Sequence, residues 1–325
     1  NSQSADLHVV SQGTVAPRTR TKLISEVSGA VLSVSPQFVV GGTFKAGDVL
    51  LQLDPTDYEV AVQRAEARLI SMNAKHTFEQ ARAAQAQKEW AMTGRPADEA
   101  PLLALREPYL AEAHANVLQA EAELKQAQLK LARTTIRAPY LGMVSVKTVD
   151  IGQYVTVAAS LGEIFAIDYA EVRLPLTEKD LSRIEPLTQH QDGALPDVRL
   201  SATVAAEPIQ WAAKIVRSEG IVDRLNRAQY LVARVADPYN VVAETGSDIP
   251  ALLMGTFVRA DIIGKTIDNV FAVPRHALLE GNRVPLMDSD NRLRLTPVEV
   301  AYSDKDFYYV ISGLEEGDEI IVSAL

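Results

Sequence analysis

Residues 56–133 read TDYEVAVQRAEARLISMNAKHTFEQARAAQAQKEWAMTGRPADEAPLLALREPYLAEAHANVLQAEAELKQAQLKLAR, and this stretch decides the fold. Steps of three and four from Val62 pass through Ala65, Leu69, Met72, His76, Glu79, Ala83, Ala86 and Trp90, and seven of these nine are apolar or small. The same walk backwards from Leu131 passes through Ala127, Leu124, Ala120, Val117, Ala113, Leu110, Arg106 and Leu103, and eight of nine fit. An apolar seam that repeats every seven residues over several heptads is a coiled-coil pattern. The two seams mirror each other about a centre near Pro96 and Ala97, pairing 62 with 131, 69 with 124, 83 with 110 and 90 with 103. Two antiparallel arms of one hairpin need that symmetry. The faces between the seams carry Gln63, Arg64, Arg68, Gln126 and Lys130, so neither arm has a broad apolar face to lay on a domain body. The hairpin is expected to project into solvent, with a first arm about 55 Å long at 1.5 Å per residue.

Pro108 belongs in the first turn of the second arm, because proline is tolerated there and breaks a helix interior. Leu102 to Arg106 then form a short tip segment. Leu102, Leu103 and Leu105 either present an apolar partner surface at the tip or pack on Trp90.

On both sides of the hairpin the pattern is β. Leu7–Ala16 alternates. Short runs follow at Ile24–Val31, Val39–Gly42 and Phe44–Asp54, with turn signals at Gly42 and Gly47-Asp48. Pro55, Thr56 and Asp57 start the first arm. Strand character resumes at Thr135–Val146 and Val149–Val155. Gly142-Met-Val144-Ser-Val146 echoes Gly29-Ala-Val31-Leu-Ser-Val34, so the hairpin interrupts one pseudo-symmetric β-unit between its halves. Further on, Thr177-Glu-Lys-Asp180 has the form of a capping box opening a short helix that ends near Ile184-Glu-Pro186. Candidate strands at Val198–Ala205, Gln210–Ser218, Tyr230–Val235 and Phe257–Ile263 suit a small barrel. Five more are expected at Phe271–Pro274, Arg283–Met287, Leu293–Val300, Tyr308–Ile311 and Glu319–Val322, with turns at Glu280-Gly281-Asn282, Asp288–Asn291 and Glu316-Gly317-Asp318.

Composition excludes several function classes. The 325 residues carry a net charge of −10 with both signs interspersed, so no nucleic-acid partner is expected. There is no cysteine, which removes disulfides, thiol nucleophiles and thiolate metal sites. No run of 18 apolar residues reads as a membrane-spanning helix. His8, His76, His114, His190 and His276 are dispersed, and no zinc-protease, nucleophile-elbow or phosphate-loop motif occurs. The glycines at 41, 42 and 47 read as β-turns. His76 and Glu79 lie one helical turn apart on the seam, and their expected role is to fix register as tolerated polar residues rather than to bind a metal or relay a proton. No catalytic residue, metal or cofactor is expected.

Two β half-motifs flanking a coiled-coil hairpin resemble the periplasmic adaptors, or membrane fusion proteins, of tripartite efflux systems. The resemblance rests on Val39–Asp48, Leu53–Tyr58, Thr135–Gly142, Val172–Glu178, Trp211–Arg217, Val273–Ala277 and Gly313–Asp318, and it runs through nearly the whole chain in the family's order. The closest pattern is that of adaptors for resistance-nodulation-division pumps. The resemblance implies a mainly β, elongated, multi-domain chain with a long antiparallel α-hairpin at 56–133. A biotinyl/lipoyl-like domain would be split between 19–55 and 134–167. A β-barrel would comprise 1–18 and 168–268, and a membrane-proximal β domain 269–325, which the start of the N-terminal strand also joins.

The resemblance further implies a non-enzymatic protein. It would bridge a proton-driven inner-membrane transporter and an outer-membrane channel, and self-associate into a ring or funnel of three or six copies. It would sit in the periplasm, anchored to the inner membrane through a segment or lipid absent from this chain. Channel docking falls to the tip: Gly94, Arg95, Pro96, Leu102, Leu103, Leu105 and Arg106. The family's Arg…Leu…Ser tip pattern does not occur at its usual spacing, and Arg106 stands where serine is common. Met72, Met92, Met143, Met254 and Met287 are scattered, unlike the methionine clusters of copper- or silver-handling adaptors, which points to organic or amphiphilic pump substrates. An adaptor for an ATP-driven exporter or type I secretion system has a similar hairpin and stays open. A lipoyl or biotinyl carrier is disfavoured, because helices replace the hairpin that would hold its modified lysine. A free-standing coiled-coil protein would not need the split β-unit.

Overall fold

The computed structural model describes residues 2–96, 100–184, 196–204, 206–241, 249–287 and 292–322. The expected turn at Asp288–Asn291, the end of the short helix beyond Ile184, His190 and the tip residue Ala97 lie outside them. The fold is mainly β and divides into two units, residues 19–166 and residues 1–18 with 167–325.

The first unit is built from two four-stranded antiparallel sheets. One has the order β2 (Arg20–Ile24), β9 (Ser160–Ala166), β7 (Gly142–Lys147), β4 (Thr43–Phe44). The other has the order β6 (Thr135–Arg137), β5 (Val49–Leu53), β3 (Gly29–Val34), β8 (Tyr154–Val155). Each sheet takes two strands from before the helices and two from after. Neither half of the sequence can form its sheets alone, which is the physical content of the echo between Gly29–Val34 and Gly142–Val146. One core serves both sheets: Phe38, Leu50, Leu51, Leu53, Leu161 and Ile164 are all fully buried within it.

Val39–Gly42, expected as a strand, is a turn. Gly42 donates its N–H to the Val39 carbonyl at 2.8 Å, and Val39 and Val40 are exposed. Apolar composition misled here because Phe38 alone supplies the buried anchor. A side chain at Gly42 would meet the Gln37 carbonyl oxygen at 2.1 Å, so the tight turn requires glycine.

Between β5 and β6 run α1 (Thr56–Met92) and α2 (Glu107–Ala132). They pack antiparallel on each other, as the Arg68–Glu123 and Glu79–Arg106 pairs establish. Their remaining faces are exposed.

In the second unit, β1 (Gln3–Pro17) pairs with both β10 (Tyr169–Leu176) and β14 (Phe257–Pro274). Through β13 (Gln229–Ala236), β12 (Glu207–Val222) and β11 (Asp197–Val204) this closes a ring of six antiparallel strands. The alternation of β10 explains the ring's inside and outside. Ala170, Val172, Leu174 and Leu176 are buried, while Glu171 and Arg173 point out to Arg217 and Glu219 of β12 at 2.6 Å. The hydrogen bonds from those guanidinium groups hold Glu171 and Glu219 below the ordinary glutamate value. The short helix α3 (Glu178–Ser182) carries the expected capping box, with Thr177 and Asp180 exchanging hydrogen bonds.

β14 is one strand of 18 residues, where the sequence suggested separate strands at 257–263 and 271–274. Its end pairs with β18 (Phe307–Ser312), which pairs with β17 (Glu299–Ser303). The run expected as one strand over Leu293–Val300 is broken at Val298, whose side chain turns inward, so β16 (Leu293–Pro297) joins β15 (Arg283–Met287) instead. Here Val273, Val284 and Val310 form a third core.

Candidate functional site: the seam and tip of the helix pair

The helix pair is tied to its own β-sandwich at the base. The Asp54 carboxylate accepts the Thr56 N–H at 3.0 Å and its hydroxyl at 2.7 Å, and these bonds hold it below the ordinary aspartate value. Tyr58 donates its hydroxyl to the Ser28 carbonyl at 2.7 Å, and Arg133 pairs with Glu26 at 2.9 Å.

From there outward the seam is the shielded stripe. In α1, Val62, Ala65, Leu69, Met72, His76, Glu79, Ala83, Ala86 and Trp90 are each half-buried or buried. In α2 the same holds for Leu110, Ala113, Val117, Ala120, Leu124 and Ala127, with Leu131 at its end. Only Ala83, Ala113, Val117 and Ala120 are fully buried. Small residues at the centre allow the two backbones to come close, and the larger seam residues flank them.

The exceptions to the apolar seam lie towards the tip, and two of them find each other. Arg106 donates to Glu79 Oε2 from Nη2 at 2.6 Å and from Nε at 3.2 Å, and its guanidinium lies 4.8 Å from the Tyr109 ring centre. This hydrogen bond holds Glu79 below the ordinary glutamate value. Arg106 has φ 61°, a left-handed backbone that ends the tip segment and sets the entry into α2. The structure therefore turns Arg106 inward to brace the pair. Sequence reasoning placed it at the docking surface and missed Glu79 as its partner. The signal was present: the opposite charges that broke the two seams were Glu79 on one arm and Arg106 on the other.

The remaining tip residues are displayed. Thr93 caps the end of α1 through the Trp90 carbonyl at 2.6 Å, Gly94 has φ 71°, and the Trp90 indole donates to the Pro96 carbonyl at 3.1 Å. Arg95 and Pro96 are exposed. Pro101–Glu107 folds as successive turns, with Ala104 donating to Pro101 and Glu107 to Leu102. Leu102 is 62% exposed, Leu103 67% and Met92 85%, whereas Leu105 is half-buried. Leu103 does not continue the seam opposite Trp90. The helical phase is broken at Arg106, so the pattern that included Leu103 stops at α2's first turn, where Pro108 sits. The leucines thus divide: Leu105 turns inward, and Leu102 and Leu103 do not pack away.

Among the described residues no group of three or more His, Asp or Glu is placed to hold a metal. No described helix is long and apolar enough to cross a membrane.

Comparison with known proteins follows the same outline. Residues 20–166 match the family model "RND MFP, barrel-sandwich hybrid domain", a span that holds both four-stranded sheets and the helix pair. The chain is 26% identical over 331 residues to the multidrug resistance protein MdtA of Klebsiella pneumoniae, covering 96% of this chain and 73% of that one. It is 26% identical over 298 residues to the efflux pump periplasmic linker BepD of Brucella suis, covering 89% and 72%. Among solved structures, MacA from Actinobacillus actinomycetemcomitans superposes with a TM-score of 0.65 at 20% identity, covering 99% of this chain and 97% of that one. A MacA-MexA chimeric protein containing the Pseudomonas aeruginosa MexA alpha-hairpin domain superposes at 0.64 with 22% identity, covering 99% and 98%. These two share the fold.

Proposed function

We propose that this chain, whose residues 20–166 match the barrel-sandwich hybrid domain model of the resistance-nodulation-division membrane fusion proteins, is the periplasmic adaptor of a tripartite efflux pump. The reading divides it into four parts: a split lipoyl-like domain at 19–55 and 134–167, the α-hairpin at 56–133, a β-barrel at 1–18 and 168–268, and a membrane-proximal domain at 269–325. The hairpin tip meets an outer-membrane channel. The barrel and membrane-proximal parts meet a proton-driven inner-membrane transporter, and several copies close a ring or funnel around the path. The family model supports a resistance-nodulation-division transporter over an ATP-driven partner.

One observation carries the docking reading: three large apolar side chains, Met92, Leu102 and Leu103, stand more than 60% exposed at the end of the helix pair. Arg106 does not contribute to that surface in this reading, because Glu79 occupies its guanidinium. Exposed apolar clusters on a solvent-facing element mark interaction sites. The test replaces Leu102 and Leu103 together by Asp in cells that depend on the pump, with Leu129→Asp near the base of α2 as control. Leu129 is itself 50% exposed. Loss of drug resistance and of cross-linking to the channel in the tip variant alone supports the assignment. Full resistance and unchanged cross-linking in the tip variant would sink it.

A further inference from the structure

His76 of α1 and His114 of α2 face each other across the helix pair, with ring centres 5.4 Å apart and planes inclined at 42°. They line one open cavity with Gln80, Glu107, Leu110 and Ala111. We propose that His76 and His114 together bind a late first-row divalent ion, such as Zn2+, at one site per chain.

The argument is geometric. A metal bound by imidazole lies about 2.0–2.1 Å from the nitrogen, hence about 3.2 Å from the ring centre, so two imidazoles on one tetrahedral ion have centres about 5.2 Å apart. The observed separation already meets that requirement with little movement of either helix. The inclined planes leave the rings unstacked, as two ligands on one ion would be. Imidazole suits Zn2+, Cu2+ and Ni2+, whereas the carboxylate-preferring Mg2+ and Ca2+ would not use this pair.

Among the described residues no third protein ligand is in place, so solvent completes the coordination on the open side of the cavity, where Glu107 and Gln80 can accept hydrogen bonds from bound water. The site is therefore an open one of moderate affinity. Its structural effect would be a cross-link between the arms, next to the Glu79–Arg106 brace, whose Glu79 lies one turn further out on α1. The proposal stands on the two histidines and does not depend on what the tip contacts.

The test uses the full chain stripped by chelator and titrated with Zn2+ in competition with a chromophoric indicator. His76→Gln, His114→Gln and the double variant are compared with His8→Gln, which lies in the other unit. The expected result is one Zn2+ per chain in the micromolar range, weakened tenfold or more by either single change and untouched by His8→Gln. At Zn2+ a hundredfold above the dissociation constant, amides near positions 76 and 114 should exchange about a hundredfold more slowly. Absence of binding in the parent, or binding as tight in the double variant, overturns the proposal. Should a glutamine variant lose helical circular dichroism, the electron paramagnetic resonance of Cu2+ bound to the parent decides. Coupling to two imidazole nitrogens supports the pair, and coupling to one or none refutes it.

Discussion

Replacement of Ala120 by Leu tests whether the helix pair is held by close approach at its centre. Ala120 is 1% exposed, in the middle of α2's seam with the buried Val117 and Ala113. A leucine adds three carbons where the facing helix leaves no room, and forcing such volume into a packed interface costs about 1–3 kcal/mol. The control is Ala115→Leu on the same helix, because Ala115 is exposed. Leucine is nearly as good a helix former as alanine, so this change should stay within about 0.5 kcal/mol. Global denaturation is the wrong assay, since the β-sandwich has its own core and can stay folded while the helices separate. Native-state hydrogen exchange reads the local opening directly. A cost of about 1–3 kcal/mol predicts exchange about 5- to 150-fold faster at the central amides of α2 in the Ala120 variant, against about twofold for Ala115→Leu. Ala120→Gly should also weaken protection, by about 1 kcal/mol for helix propensity and about 0.8 for the lost methyl, whereas Ala115→Gly should show the first part alone. Equal protection in the Ala120 and Ala115 leucine variants would mean that the arms are not in contact at their centre.

Leu50 is fully buried in the sandwich core, so Leu50→Ala should lower unfolding stability by about 2–5 kcal/mol in urea, while Val40→Ala in the exposed turn should change it by less than about 0.5. At Gly142 a side-chain carbon would sit 2.6 Å from the Phe165 carbonyl oxygen and 2.9 Å from the Phe44 ring. Gly142→Ala should therefore prise β7 from β9 and lower the melting temperature, despite alanine's lower chain entropy. Tyr309 is pushed up to about 12 by burial and by its hydrogen bond to Asp304. Its raised value favours the protonated phenol in the fold, so the associated stability is complete below the ordinary tyrosine value of 10.0 and is lost as pH climbs to about 12. Burial also raises Tyr302, so a spectrophotometric tyrosinate titration should show a late-titrating component that loses one tyrosine in Tyr309→Phe. Glu171 is shifted the other way, held below 4.5 chiefly by Arg217. Its contribution is present above that value and fades as pH falls through the lowered one, so acid unfolding of Glu171→Gln should begin from a lower plateau and run less steeply.

Sequence by itself determined the elements whose periodicity is long and uninterrupted. The two helices and their shared stripe were legible because a seven-residue repeat leaves few other ways to bury Leu69, Val117 or Leu124. The Thr177–Asp180 box announced the start of α3 through local hydrogen-bonding chemistry alone, whereas the alternation of Ala170, Val172, Leu174 and Leu176 was recognised as a strand only in the fold. What only the tertiary structure decided was everything fixed by contact between distant segments. The closure of the six-strand ring depends on β1 pairing with β10 and β14, from residues more than 150 positions away, and no local pattern encodes that. The same holds for Val39 and Val40, whose apolar character suggested a strand until Gly42 was found against the Gln37 carbonyl. At the tip, the family resemblance placed Arg106 among the docking residues, and the fold turned it back to Glu79. A charge's direction is set by the partner within reach of its side chain, and reach is a property of three dimensions.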